Sequence, residues 1–196
     1  MDRNDLADDP LAQIQHWLDE AVAAGVYEPN AMSLATSKAD GSPNVRTVLL
    51  KGVDSGLVFF TNYHSMKARE LEWSGRAAVS LTWPTLGRQV RVRGTVERTS
   101  AQESDDYFAS RARGSQLAAW ASSQSEAVVD RAALDQRYAE AVHRFPGAVP
   151  RPPHWGGYRI TPDEVEFWSR RDNRMHDRLR FTRQSGGAWR VDRLAP

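Results

Sequence analysis

Residues 170 to 181 read RRDNRMHDRLRF, which puts five arginines, one histidine and two aspartates within twelve positions. Arg170, Arg171, Asp172 and Asn173 have the makeup of a solvated turn. Arg174, His176 and Arg178 form an alternation instead. If a strand begins near Met175, His176 and Arg178 point the same way, and with Arg174 they present a planar, donor-rich surface suited to a flat anionic ring or a phosphate.

Three other stretches could carry chemistry. Tyr107, Arg111 and Ser115 recur every four residues. On a helix continuing through Gly114 they would line one face as hydroxyl, guanidinium and hydroxyl, a set that suits a phosphate, although a Tyr stacked on an Arg at a helix surface has the same spacing. RTVLLK, Arg46 to Lys51, reads as a strand with Thr47, Leu49 and Lys51 on one face and Arg46, Val48 and Leu50 on the other, or simply as an edge strand with solvated charged ends. WASSQSE, residues 120 to 126, clusters short hydroxyls around Gln124, or is an ordinary helix start at Ser123 with Glu126. His16, His64, His143, His154 and His176 show no metal-ligand spacing, so no metal is expected.

These residues need elements to position them. Asp9 followed by Pro10 is an N-cap with proline at the first helical position, and an amphipathic helix should run from about 10 to 24. The period then changes to that of strands in AMSLATS, NVRTVLLKGV and GLVFFTN, separated by turn signals. Ser65 should cap a short helix in SMKARELEW, and AAVSLTW and QVRVRGTVER return to strands. Ser100 and Glu103 have capping-box spacing and open a helical insertion over about 100 to 145, with a second helix from about 130. FPGAVPRPPHWGGY should be an ordered loop. YRIT and EVEFWS are further strands, and a final hairpin over about 176 to 194 turns at QSGG. Many short strands with a few helices predict a mainly β, antiparallel barrel with peripheral helices, an α+β chain forming one domain over residues 1–196.

Composition closes off several function classes. There is no cysteine, so disulfides, thiolate nucleophiles and Cys-based metal sites are excluded. Lysines stand only at 38, 51 and 67, leaving 23 of the 26 cations as arginine, yet the formal net charge is only +1, which argues against a dedicated nucleic-acid binder. GxGxxG and P-loop patterns are absent. The polar start MDRNDLADDPLAQ is no signal peptide, and no apolar run approaches the roughly 20 residues of a membrane span, so we expect a soluble, cytoplasmic protein.

The ordered set RTVLLK, FFTN, SMK, GRQVRVRG, YFASRARGSQLAAWASSQS, WGGYRI, EFW and RMHDR, with the terminal DRLAP, resembles the pyridoxamine 5′-phosphate oxidase family from about Asp9 to Pro196. The resemblance implies an FMN-binding split β-barrel, a homodimer with FMN at its interface, and oxidation of pyridoxamine or pyridoxine 5′-phosphate to pyridoxal 5′-phosphate, with O2 reoxidising the flavin and giving H2O2. Carried over by position, Arg46, Thr47, Val48, Leu49, Leu50 and Lys51 match the first FMN strand, Phe60 and Thr61 the second, and Met66 and Lys67 the following helix start. Gln89, Gln124, Ser125, Trp168 and Arg178 match the remaining flavin contacts. Lys51, Tyr107, Arg111 and Ser115 match the substrate-phosphate site, and Arg174, Met175 and His176 the segment that holds the pyridine ring, with Arg174 and His176 in the catalytic roles.

Met66 stands where many members have an arginine, implying one donor fewer to the FMN phosphate. About ten residues precede the first helix, where some members carry a longer arm that folds over the substrate. Two other readings stay open. One is a related flavin oxidase acting on a different ring, of the phenazine-biosynthesis type, whose members tend to lose the substrate-phosphate lysine that Lys51 supplies here. The other is a non-catalytic binder of flavin, pyridoxal phosphate or nucleic acid, resting on the arginines alone.

Overall fold

The computed structural model describes residues 1–196. Helix α1 (Pro10–Ala23) starts where Asp9 Oδ1 accepts from the Leu11 N–H at 3.1 Å. Strands β1 (Ala31–Ser37), β2 (Pro43–Leu49), β3 (Gly52–Val53) and β4 (Leu57–Asn62) follow, then α2 (Met66–Ser74), capped by Ser65, and β5 (Arg76–Trp83) and β6 (Arg88–Arg98). Three helices come next, α3 (Ala101–Ser110), α4 (Arg113–Ala121) and α5 (Arg131–Arg144), before β7 (Trp155–Ser169), β8 (Asp177–Arg183) and β9 (Trp189–Arg193).

All nine strands join one antiparallel sheet in the order β2-β1-β5-β6-β7-β4-β3, with β8 pairing β7 and β9 pairing β8. β2 and β3 are neighbours in the chain yet lie at opposite ends of that order. The sequence suggested one strand through NVRTVLLKGV, but it stops at Leu49, because the Leu50 N–H turns to the Asn30 carbonyl and the Lys51 N–H to the Val58 carbonyl, each at 2.8 Å. The connection at Leu50 and Lys51 therefore spans the two edges, and the barrel is closed there by a crossing chain rather than by a ladder. The sheet is a split barrel.

Alternation decides which face fills it. Val90 and Val92 of β6 and Val165 and Phe167 of β7 enter a single core, while Arg91 and Arg93 point out. α1 presses Leu11, Ile14, Trp17 and Ala21 into the same core, with the Trp17 ring edge-on to Phe167 at 5.1 Å. Burying a side chain such as Ile14 stabilises the fold by about 1.5–3 kcal/mol. A second, smaller cluster, built on Phe108, Leu117, Ala141 and Trp155, fastens the three helices to the start of β7.

Three local expectations need correcting. The helix carrying Tyr107 does not persist through Gly114: Arg111 is extended (φ −73°, ψ 148°), and a new helix starts at Arg113. Ser123 starts no helix; residues 123–126 form a turn, and the cap belongs to Asp130, whose Oδ1 accepts from the Ala133 N–H at 2.8 Å. YRIT and EVEFWS are one long strand, interrupted only by a bulge between Arg93 and Gly94 that takes up Asp163.

Candidate active site

The split in the barrel is a cleft of about 590 Å³ lined by β2 (Thr47, Val48, Leu49), Lys51 of the crossing chain, β4 (Phe60, Thr61, Asn62), Lys67 and the helical insertion. Its aromatic wall is a near-parallel stack, with Phe60 against Tyr107 at 4.0 Å and against Trp155 at 5.5 Å.

One end of the cleft gathers Lys51, Tyr107, Arg111 and Ser115. The end of the helix at Arg111 does not scatter them, because the turn from α3 into α4 brings Ser115 back to the same wall. The Arg111 guanidinium lies 4.6 Å over the Trp155 ring, and its Nη1 is buried without a hydrogen-bond partner. Burial lowers its pKa. A desolvated, unpaired cationic donor is costly unless an anion completes it.

The other end is built on Lys67, whose ammonium donates to Gln124 Oε1 at 2.8 Å, Thr61 Oγ1 at 3.1 Å and Ser65 Oγ at 3.3 Å. All three acceptors are neutral. Burial, and then repulsion from Arg46, push the lysine down to about 8, against a smaller opposing pull from Glu70. Glu70 in turn holds Arg46 through a 3.0 Å ion pair. Burial alone would raise the Glu70 carboxyl, but hydrogen bonds from Thr36 and Asn44 and the Arg46 charge outweigh it and hold it below the usual range. One cleft thus contains two separate cationic centres with a flat aromatic wall beside them.

The remaining expected residues lie elsewhere. Gln89, Trp168 and His176 line a second, smaller hollow that shares no residue with the cleft. Trp168 is opposite Gln89 in the ladder on one side and opposite Arg178 on the other. Arg178 Nε donates to Glu166 Oε1 at 2.7 Å and its Nη1 to the Ala195 carbonyl at 2.9 Å. β8 begins at Asp177, later than the strand start near Met175 that the alternation required, and residues 172–174 form a 3₁₀ turn. Asn173 and Arg174 both have positive φ, +54° and +60°, a conformation non-glycine residues adopt at a cost. Arg174 and Met175 project into solvent.

Two expected cofactor residues do not face the cleft with their side chains. Leu50 is buried in the main core, because the crossing chain turns it inward, and the Arg46 guanidinium is spent on Glu70, Thr36 and the Leu34 carbonyl. Met66 is partly exposed beside Ser125, whose Oγ accepts from the Met66 N–H at 3.2 Å. Asn62, Trp155 and Ser122 line the cleft without having been singled out. Each lies in a stretch that the sequence singled out, Asn62 in FFTN, Ser122 in WASSQSE and Trp155 in WGGYRI, but none was picked as a site residue by itself.

Residues 18–145 match the family model described as pyridoxamine 5′-phosphate oxidase, and residues 155–196 match the model described as the pyridoxine 5′-phosphate oxidase C-terminal dimerisation region. This chain belongs to the pyridoxine/pyridoxamine 5′-phosphate oxidase family. It is 56% identical to the pyridoxine/pyridoxamine 5′-phosphate oxidase of Rubrobacter xylanophilus, over 96% of this chain and 87% of that one. The same-named protein of Cupriavidus necator is 52% identical over 100% of this chain and 93% of its own. Among solved structures, PhzG from Burkholderia lata in complex with tetrahydrophenazine-1-carboxylic acid superposes with a TM-score of 0.93 at 35% identity, covering 98% of this chain and 95% of that one. A pyridoxamine 5′-phosphate oxidase-related, FMN-binding protein from Nostoc punctiforme shares the fold, with a TM-score of 0.77 at 17% identity, 97% of this chain and 100% of that one.

Membership makes the protein an oxidoreductase with FMN as cofactor and a C-terminal dimerisation region. The cleft fits that cofactor: the buried Lys67, facing only neutral acceptors, suits a phosphate, and the aromatic wall suits a flat ring. No helix is long and apolar enough to cross a membrane.

Proposed function

We propose that the protein oxidises pyridoxamine 5′-phosphate and pyridoxine 5′-phosphate to pyridoxal 5′-phosphate. The alcohol with O2 gives the aldehyde and H2O2, and the amine additionally takes up water and releases ammonia. FMN, when bound, supplies the redox chemistry by accepting a hydride from the substrate's C4′ and passing the electrons to O2.

The chain's own residues do the holding. Lys67, Thr61, Gln124 and Ser125 bind the cofactor phosphate, and the β2 residues from Thr47 to Leu49 follow the cofactor along the cleft. Lys51, Tyr107, Arg111 and Ser115 bind the substrate phosphate and so fix where the ring lies. Gln89, Trp168 and His176 at the second hollow, with Arg174 two residues before His176 and Arg178 opposite Trp168 in the ladder, meet the cleft of a second copy. There Arg174 and His176 close over the substrate ring while Gln89, Trp168 and Arg178 contact the flavin. A homodimer with FMN at its interface follows from this division.

The single observation that carries the substrate assignment is the unpaired, buried Arg111 Nη1 beside Lys51, Tyr107 and Ser115. Oxidation of a phenazine-type ring is a second reading, favoured by the superposition on PhzG. Its ligand carries a carboxylate in place of a phosphate, an anion that Arg111 could also hold, so the two readings are separated by whether the substrate's phosphate matters. The test is Arg111→Ala assayed on pyridoxamine 5′-phosphate and on pyridoxamine. The KM for the phosphate should rise at least tenfold with little change for the dephosphorylated amine, since a charged hydrogen bond is worth about 1.5–3 kcal/mol. An equal effect on both would contradict the assignment.

A further inference from the structure

We infer that His176 is preset as its Nε2–H tautomer, so that it meets the substrate as a hydrogen-bond donor and not as a base. The inference rests on the placement of His176 at the substrate ring proposed above, but the geometry behind it lies entirely within this chain.

The Arg171 backbone N–H donates to His176 Nδ1 at 3.1 Å. A backbone amide can only donate, so Nδ1 must offer its lone pair, and a neutral imidazole then carries its hydrogen on Nε2. The opposite tautomer would set Nδ1–H against Arg171 N–H, two donors facing each other.

Several contacts keep the ring from escaping this arrangement. The Trp168 ring lies 4.6 Å from the imidazole, tilted by 47°. The turn between them is tied off by Met175 N–H to the Asp172 carbonyl at 3.0 Å, and its left-handed Asn173 and Arg174 fold the chain back so that Arg171 meets His176. Arg171 Nε also donates to Asp177 Oδ2 at 2.7 Å, and Arg193 Nη1 holds Oδ1 of the same carboxylate at 2.9 Å. Asp177 is thus a positioning residue. It anchors Arg171 from one side of the strand start while His176 is presented on the other.

One consequence concerns the proton. Oxidising the alcohol breaks the C4′–H and O–H bonds and forms C=O; the hydride leaves with the cofactor, and the hydroxyl proton must go to a base or to water. His176 has no free lone pair, since Nδ1 is engaged and Nε2 already bears hydrogen. His176 is therefore not the acceptor of that proton.

The test uses the FMN-loaded protein, labelled with 15N histidine and free of substrate, at a pH where the imidazole is neutral. Ring-nitrogen signals of His176, identified by their loss in His176→Gln, should show a bare Nδ1 and a protonated Nε2, with the other tautomer at no more than about a tenth. A predominant Nδ1–H form or an even mixture would overturn the inference. Asp177→Asn should draw the two shifts toward their average, and unchanged shifts would remove Asp177 from the account.

Activity gives an independent arm. His176→Gln, a donor, should keep at least tenfold more kcat/KM than His176→Glu, an acceptor and base, and the reverse order would show that His176 takes a proton. Because the spectrum is recorded without substrate, it stands or falls separately from the substrate assignment.

Discussion

The Lys67 ammonium donates to Oε1 of Gln124 at 2.8 Å, across 57 residues of sequence. This contact ties the start of α2 to the connection after α4 and leaves a buried cation surrounded by neutral oxygens. It makes this end of the cleft, the one proposed to hold the cofactor phosphate, sensitive to pH.

With Lys67 lowered to about 8 in the folded, FMN-free protein and near 10.5 when unfolded, the unfolded chain binds more protons between those values. FMN-free protein should therefore gain stability from this group as pH rises from about 8 to 10.5. With Lys67 holding the FMN phosphate as proposed, binding needs the ammonium, so affinity should fall above about pH 8, approaching tenfold per unit. Flavin-fluorescence titrations from pH 7 to 9.5 test this, and Lys67→Met should flatten the profile. A flat wild-type profile would contradict it.

Glu70 and Arg46 form the buried pair behind that lysine. Glu70→Gln leaves the Arg46 charge without its partner and should cost about 3 kcal/mol in a denaturant titration. It also removes the group that raises the Lys67 pKa, so the inflection in FMN affinity should move below pH 8. Unchanged stability would mean that the pair is open to solvent.

Met66, next to Lys67 in the chain, places a thioether 3.2 Å from Asn44 Nδ2. Met66→Arg should lower the Kd for FMN roughly tenfold by adding a charged donor. An unchanged Kd would mean that the existing donors already satisfy the phosphate.

Gly157 lies where β7 passes beneath the aromatic wall, and a Cβ there would sit 2.5 Å from Thr99 Oγ1 and 2.8 Å from Phe60 Cε1. Gly157→Ala should displace Phe60 from its stack on Tyr107, costing about 1–3 kcal/mol of stability and raising the KM of the phosphorylated substrate. Wild-type stability together with wild-type KM would contradict the packing described.

Much of this architecture was legible in local sequence chemistry. The caps at Asp9, Ser65 and Ser100 and the alternation of Val90 and Val92 act over a few residues, and the structure carries each of them. The missed features are those decided at long range. The apolar run LLKGV shows no break, because what ends β2 is the pull of Asn30 and Val58 from other parts of the sheet. Tyr107, Arg111 and Ser115 had the right spacing for the wrong reason, since a chain turn and not a continuous helix brings them together. The unpaired Arg111 Nη1 and the Arg46–Glu70 pair depend on burial and on a partner 24 residues away, so no motif announces them.

The central claim is that this cleft oxidises phosphorylated pyridine substrates. The most direct test is to supply the FMN-loaded protein with pyridoxine 5′-phosphate, pyridoxamine 5′-phosphate and, separately, tetrahydrophenazine-1-carboxylic acid, measuring aldehyde and H2O2. The account predicts pyridoxal 5′-phosphate and H2O2 in equal amounts from both phosphates. Oxidation of the phenazine compound with no aldehyde from either phosphate would contradict it.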